Sequence, residues 1–81
     1  MDKRRQNELK FGNWEQLPNG RRRYWYEVIG RNGWKARYVK EVDTEENILS
    51  FGQQIFDDQG KLIEIHEKHP EDKGHKKVEE R

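Results

Sequence analysis

The sequence predicts a mainly β protein, a five-stranded antiparallel meander. Three turn segments carry this prediction: Pro18-Asn19-Gly20, Arg31-Asn32-Gly33 and Asp57-Asp58-Gln59-Gly60. In each, a glycine follows a turn former and precedes a run of alternating aromatic or β-branched residues. This order is typical of a three-residue hairpin loop whose last residue has a positive φ. A further polar break at 43–47 separates two more strands, so the turns describe an up-and-down sheet.

Length and composition set the scale of the domain. The chain has 81 residues, of which 30% are hydrophobic and 41% charged, so one small domain with a thin core is expected. The regular placement of the aromatics argues against disorder. We predict an N-terminal charged segment over 1–10, with a short turn or helix, a single β-meander domain over 11–68 and a mobile charged tail over 69–81.

The turns place five strands at roughly 11–17, 21–29, 34–42, 48–57 and 61–68. Three-residue loops fix their registers, because a slip of one residue moves every side chain to the other face. The expected first and middle hairpin pairs are Trp14–Tyr24, Glu15–Arg23, Val28–Ala36, Tyr26–Tyr38, Glu27–Arg37 and Arg23–Glu41. The expected last-hairpin pairs are Phe56–Leu62, Ile55–Ile63 and Gln54–Glu64. In these registers apolar side chains meet apolar ones, and most charged residues meet an opposite charge.

One face of this sheet is an aromatic core. Its predicted members are Trp14, Tyr24, Tyr26, Val28, Trp34, Ala36, Tyr38, Val42, Leu49, Phe51, Ile55, Ile63 and Ile65. A single sheet with such an open face is not stable alone. We therefore expect a strongly bent sheet or small barrel, with Gly12 and Gly52 as bend or bulge positions.

The charges are divided between the two halves of the chain. Residues 1–40 hold eleven Lys/Arg and four Asp/Glu, a net charge of +7, and residues 41–81 hold six and twelve, a net charge of −6. Such a division fits either a polyanion-binding half or the pairing of basic with acidic strands. Both interpretations stay open at this point.

The basic half places cations around an aromatic ring on the face opposite the core. The predicted nucleic-acid-binding residues are Arg21, Arg23, Trp25, Lys35 and Arg37. Guanidinium groups neutralise phosphates, and an exposed indole stacks on bases. This pattern predicts a small non-catalytic β module that binds RNA or single-stranded DNA.

The alternative is a protein-interaction domain, most simply a homodimer. Its contact surface would be the minor apolar face that Trp25, Ile29, Val39, Phe56 and Leu62 form, or an edge strand. In that case Glu15, Glu27 and Glu41 form ion pairs with the arginines, which are then not available to phosphates.

A third hypothesis is a small metal-independent ribonuclease. Its candidate catalytic residues are His66 and Glu64, placed on the outer face with His66 opposite Gly52. The alternation of a strand points His66 and His69 to opposite faces, and with no cysteine there is no thiolate ligand, so we predict no metal site. The acidic loop residues Asp43, Glu45 and Glu46 match no calcium loop and are assigned a structural role.

The remaining predictions are absences. The sequence contains no cysteine, no phosphate-binding glycine loop and no nucleophile elbow. We therefore expect no cofactor and a binding module rather than an enzyme. No apolar run approaches the ~18 residues of a membrane span, which favours a cytoplasmic protein without membrane contact.

Overall fold

The structure, a computed structural model, describes residues 2–69 and 75–78, the latter without the side chains of His75 and Lys76. One helix, α1, leads into six strands in a single antiparallel sheet with the order β1-β2-β3-β4-β5-β6. The elements are α1 (Lys3–Phe11), β1 (Asn13–Gln16), β2 (Arg22–Ile29), β3 (Lys35–Val42), β4 (Ile48–Phe56), β5 (Leu62–His69) and β6 (His75–Lys77).

The predicted fold class is confirmed. The five predicted strands form one antiparallel meander, and a short N-terminal helix precedes them. The sheet is open, however, and the small barrel is wrong, because β1 and β6 are its two outer strands in the described part of the chain. Within the predicted tail, β6 pairs with β5; the other tail residues after His69, apart from Val78, lie outside the described residues.

The hairpin loops follow the prediction and explain why the strands turn where they do. Backbone bonds from Leu17 to Arg21, Gly30 to Trp34 and Asp57 to Lys61 each enclose a three-residue loop. The loop at 43–47 is closed in the same way, from Asp43 to Asn47. Glycine takes the final, left-handed position in three of these loops, as Gly20, Gly33 and Gly60. In the loop at 43–47 that position is taken by Glu46, with φ 65°.

The registers of the first two hairpins are confirmed, pair by pair. The last hairpin agrees only at Phe56–Leu62, because Ile63 is an extra residue in a bulge and Glu64 lies opposite Ile55. The predicted pairs Ile55–Ile63 and Gln54–Glu64 are therefore wrong. Beyond the bulge every β5 side chain changes face.

A second bulge restores the alternation near the end of β5. It lies beside Gly52, as predicted, and leaves Lys68 as the extra residue, so that His69 is opposite Phe51. A Cβ on Gly52 would lie 3.0 Å from the carbonyl oxygen of His66, which shows how closely the two strands approach. Gly12 ends α1 in a left-handed conformation and donates its N–H to Glu8.

The core lies where α1 crosses one end of the sheet. Phe11, Tyr24 and Val42 are the buried apolar residues of the described part, with Tyr26 and Phe51 packed against them. The Phe11 ring lies 5.8 Å from that of Tyr24 and 5.4 Å from that of Tyr26. We call this side of the sheet the helix-bearing face, and the opposite side the outer face.

Polar contacts cap the helix at its first turn and join it to the sheet. Asp2 caps its first turn by accepting a 2.8 Å bond from the Arg5 N–H. Glu8 accepts a 2.8 Å bond from Arg22, which is 8% exposed. Arg22 also donates to Gln16 at 2.6 Å. Since both partners of the Glu8–Arg22 pair are largely shielded from solvent, this contact orients α1 across the sheet.

Candidate functional sites on the two sheet faces

The outer face carries the residues that the sequence predicts for nucleic-acid binding. In the β2–β3 register Trp25 lies opposite Val39, Arg23 opposite Glu41, and Glu27 opposite Arg37. Lys35 and Arg37 lie side by side, with their charges 5.6 and 5.0 Å from the centre of the Phe56 ring. Arg21 is exposed just before β2. The register therefore brings Arg23, Trp25, Lys35 and Arg37 to one face, whereas Arg21 precedes β2 and lies outside the register.

The cations at the centre of this face are paired with glutamates. Arg23 bonds to Glu15 at 2.6 Å and to Glu41 at 2.9 Å. The hydrogen bonds that Arg23 donates, above all those to Glu41, raise its pKa above the ordinary value.

A single carboxylate, that of Glu27, forms ion pairs with the other two cations, Lys35 and Arg37. Glu27 accepts from Arg37 at 3.0 Å and from Lys35 at 3.1 Å. These contacts, first that of Arg37, lower the pKa of Glu27. Three cations thus face three carboxylates, and the centre of the face is close to neutral.

Trp25 is half-buried within this charge network. It lines an open cleft of ≈ 580 Å³ together with Arg23, Arg37, Val39 and other residues of the sheet. Tryptophan and arginine are both enriched at protein interfaces, and an aromatic ring among cations also suits base stacking.

The helix-bearing face is covered at only one of its ends. Away from α1, Val28 is 48% and Trp34 42% exposed. With Ala36 and Ile55 they line a groove of ≈ 370 Å³ beside the Arg31-Asn32-Gly33 loop. Next to it, the rings of Tyr26 and Tyr38 stack at 4.9 Å. We call the surface formed by Val28, Trp34, Ala36 and Ile55 the open patch.

The histidines lie elsewhere than predicted. The bulge at Ile63 moves His66 and Glu64 to the helix-bearing face, where His66 lies opposite Gln53 and not Gly52. Because of the second bulge, His69 shares that face, so the expectation of opposite faces for the two histidines is wrong. Predicted core residue Ile65 moves to the outer face in the same way, since it lies opposite Gln54. The ribonuclease hypothesis stays a prediction.

A buried polar network at the covered end was not predicted from the sequence. Glu46 is 8% exposed, and its Oε1 accepts hydrogen bonds from the Tyr24 hydroxyl and, at 3.4 Å, from Asn7. Arg4 lies 4.0 Å from Oε2, which accepts no hydrogen bond within the described part. Lys40 donates to Asn7 at 2.9 Å. A polar residue at the position where the other loops have glycine was the available signal.

Comparisons with known proteins identify no relative. No family model matches the chain, and neither a curated protein nor a solved structure is significantly similar to it. In the described residues no helix is long and apolar enough to cross a membrane. That same part of the chain holds no group of three or more acidic or histidine side chains suited to a metal ion.

Proposed function

We propose that this protein is a protein-interaction module that pairs with a second copy of itself through the open patch. The observation that carries the proposal is the imbalance between buried and exposed apolar residues. Three apolar residues of the described part are buried, while Val28, Trp34 and their neighbours form an exposed groove. A sheet requires a second layer on its apolar face, and α1 supplies that layer at one end only.

A second copy fits the space that the helix leaves. Packed sheets lie about 10 Å apart, and a helix with its side chains is about 10–12 Å thick. A helix therefore leaves no room for a second sheet above it, and two copies could meet only through the open patches. A two-fold axis perpendicular to the strands would place the two helices at opposite ends, outside the interface. Such a contact is self-complementary because the same surface is used twice.

The test is the molar mass of the full chain by light scattering over a range of concentrations. We expect a monomer–dimer equilibrium that Trp34→Lys shifts to the monomer. Leu9→Lys is the matched control, because Leu9 is 59% exposed on α1, outside the open patch. Far-ultraviolet circular dichroism establishes that both variants fold. A wild-type chain that stays monomeric at the highest soluble concentration would show the proposal to be wrong.

Nucleic-acid binding through the outer face is a second candidate. Its support is Trp25, which lines the open cleft between Arg23 and Arg37. Phosphates would compete there with the glutamates for the guanidinium groups, so affinity would fall steeply with salt. The ion pairs that must be broken are partly exposed, and such pairs stabilise a protein by about 0–1 kcal/mol each.

Fluorescence anisotropy of a labelled RNA or DNA oligonucleotide tests this candidate. Trp25→Ala is expected to weaken binding, and Glu27→Gln to strengthen it by releasing Lys35 and Arg37. Trp14→Ala is the control, because Trp14 lies on the helix-bearing face. If no oligonucleotide binds at low ionic strength, this candidate is rejected and the homodimer is unaffected.

A further inference from the structure

A polar pocket lies where α1, the loop at 43–47 and the ends of β3 and β5 meet. Its volume is ≈ 420 Å³, within the range of about 300–1,000 Å³ typical of small-molecule sites. Lys3 comes from α1, Lys40 from β3 and His69 from β5. Three separate elements therefore contribute two ammonium groups and an imidazole to one cavity. Asn47 and Gln6 add side-chain amides to the lining.

The carboxylate in this pocket is engaged elsewhere. The Oε1 atom of Glu46 is held by Tyr24 and Asn7, and its Oε2 atom is shielded from solvent and lies 4.0 Å from Arg4. A ligand in the cavity therefore meets the cations rather than the carboxylate oxygens.

Lys40 is held in place through the same network. The amide of Asn7 donates to Glu46, which leaves its Oδ1 atom to accept from the Lys40 ammonium at 2.9 Å. An ammonium has three donors, and this contact uses one of them. The stem of Lys40 places its charge 5.7 Å from the centre of the Phe11 ring. A ligand in the pocket would be bound by the remaining donors.

We propose that this pocket binds a small anion that carries a carboxylate or phosphate group, with Lys40 and Lys3 as its charged contacts. Burial, and next the charge of Lys10, lower the pKa of Lys40. A bound anion would offset both effects and raise that pKa again. The proposal is independent of the open patch, which lies at the other end of the same face.

The experiment is a titration of the full chain with inorganic phosphate and, separately, with acetate, followed by two-dimensional NMR. We expect saturable shifts at the amides of Asn47 and Ile48. The probe with the lower dissociation constant identifies the preferred anionic group. An oligonucleotide titration under the same conditions distinguishes a free anion from the phosphates of a nucleic acid.

Four substitutions test the assignment. Lys40→Met keeps the alkyl stem but loses the charge, and is expected to weaken binding about ten-fold or more. Lys3→Met changes an exposed residue without risk to the fold and is expected to weaken binding too. Glu46→Gln removes a nearby negative charge and is expected to strengthen it. Lys61→Met, in the loop between β4 and β5, should leave affinity unchanged.

Three results would overturn the proposal. The first is the absence of saturable shifts with either anion. The second is equal affinity in the wild type, Lys40→Met and Lys3→Met, and the third is a set of shifts confined to the outer face. A purely structural role for Glu46 would make Glu46→Gln weaken binding, the opposite of the expected direction.

Discussion

Tyr24 donates its hydroxyl hydrogen to the carboxylate of Glu46, which joins the centre of the core to the loop between β3 and β4. Tyr24 is fully buried, and Glu46 is 8% exposed. Glu46 stands at φ 65°, where Gly60 stands in the equivalent loop between β4 and β5. The chain thus keeps a side chain at a left-handed position, and that side chain holds both Tyr24 and Asn7.

The first prediction concerns this exchange of strain for hydrogen bonds. Glu46→Gly removes about 1–2 kcal/mol of left-handed strain but leaves the buried Tyr24 hydroxyl and Asn7 without their acceptor, at about 1–3 kcal/mol each. These ranges leave a net loss of up to about 5 kcal/mol, about 2–3 kcal/mol at their midpoints, in the free energy of unfolding measured by urea denaturation. Asn32→Gly is the control, because Asn32 has φ 57° in an exposed loop. A Glu46→Gly variant more stable than the wild type would contradict this account.

The second prediction concerns alkaline pH. Burial, and next the hydrogen bond to Glu46, raise the pKa of Tyr24 to about 12, whereas an unfolded tyrosine titrates near 10. The neutral hydroxyl therefore stabilises the fold fully below about pH 10, and this contribution is lost as the pH rises from 10 to 12. The free energy of unfolding is expected to fall by about 1.4 kcal/mol per pH unit in this window.

Ultraviolet absorbance and urea denaturation across this pH window provide the measurement. Tyr24→Phe cannot ionise, so its stability should fall less steeply between pH 10 and 12 than that of the wild type. Equal slopes for the two proteins would show that the buried hydroxyl is not the titrating group.

The third prediction concerns the contact between two hairpin loops. A Cβ on Gly20 would lie 2.6 Å from the Thr44 methyl carbon, whereas one on Gly60 would have no neighbour within 4 Å. Both glycines have positive φ, at 74° and 81°. Gly60→Ala should therefore cost about 1 kcal/mol for its backbone alone, and Gly20→Ala more. Thr44→Ser removes that methyl group, so the double variant Gly20→Ala, Thr44→Ser should return to the cost of Gly60→Ala, measured by thermal unfolding.

The loops and the first two registers were predictable because they depend on local turn chemistry. Gly20 and Gly33 mark loops of fixed length, and a fixed loop determines the pairs that follow it. The bulge at Ile63 was not predictable, since Ile63 and Ile65 suit either face and only pairing with β4 and β6 decides between them. The contact of Glu46 with Asn7 joins residues 39 positions apart. The spacing of turns determines pairing only between neighbouring strands, so the sequence pattern does not predict this contact.

The last prediction compares two ion pairs of similar length and different burial. The Arg22–Glu8 pair spans 2.8 Å with side chains 10% and 17% exposed, and the Arg23–Glu15 pair spans 2.6 Å with side chains 39% and 48% exposed. Arg22 also lies 5.9 and 5.7 Å from the ring centres of Trp14 and Tyr24. Glu8→Gln removes the counter-charge of a guanidinium that solvent hardly reaches.

We expect Glu8→Gln to lower the free energy of unfolding by about 2–3 kcal/mol, because a buried charge without its partner is costly. Glu15→Gln should change it by less than about 1 kcal/mol, since water and salt screen the exposed pair. Urea denaturation at low and high salt distinguishes the two variants, because added salt should reduce only the small loss of stability in Glu15→Gln. Equal losses in both variants would mean that distance, and not burial, determines how strongly these pairs hold α1 and β1 to the sheet.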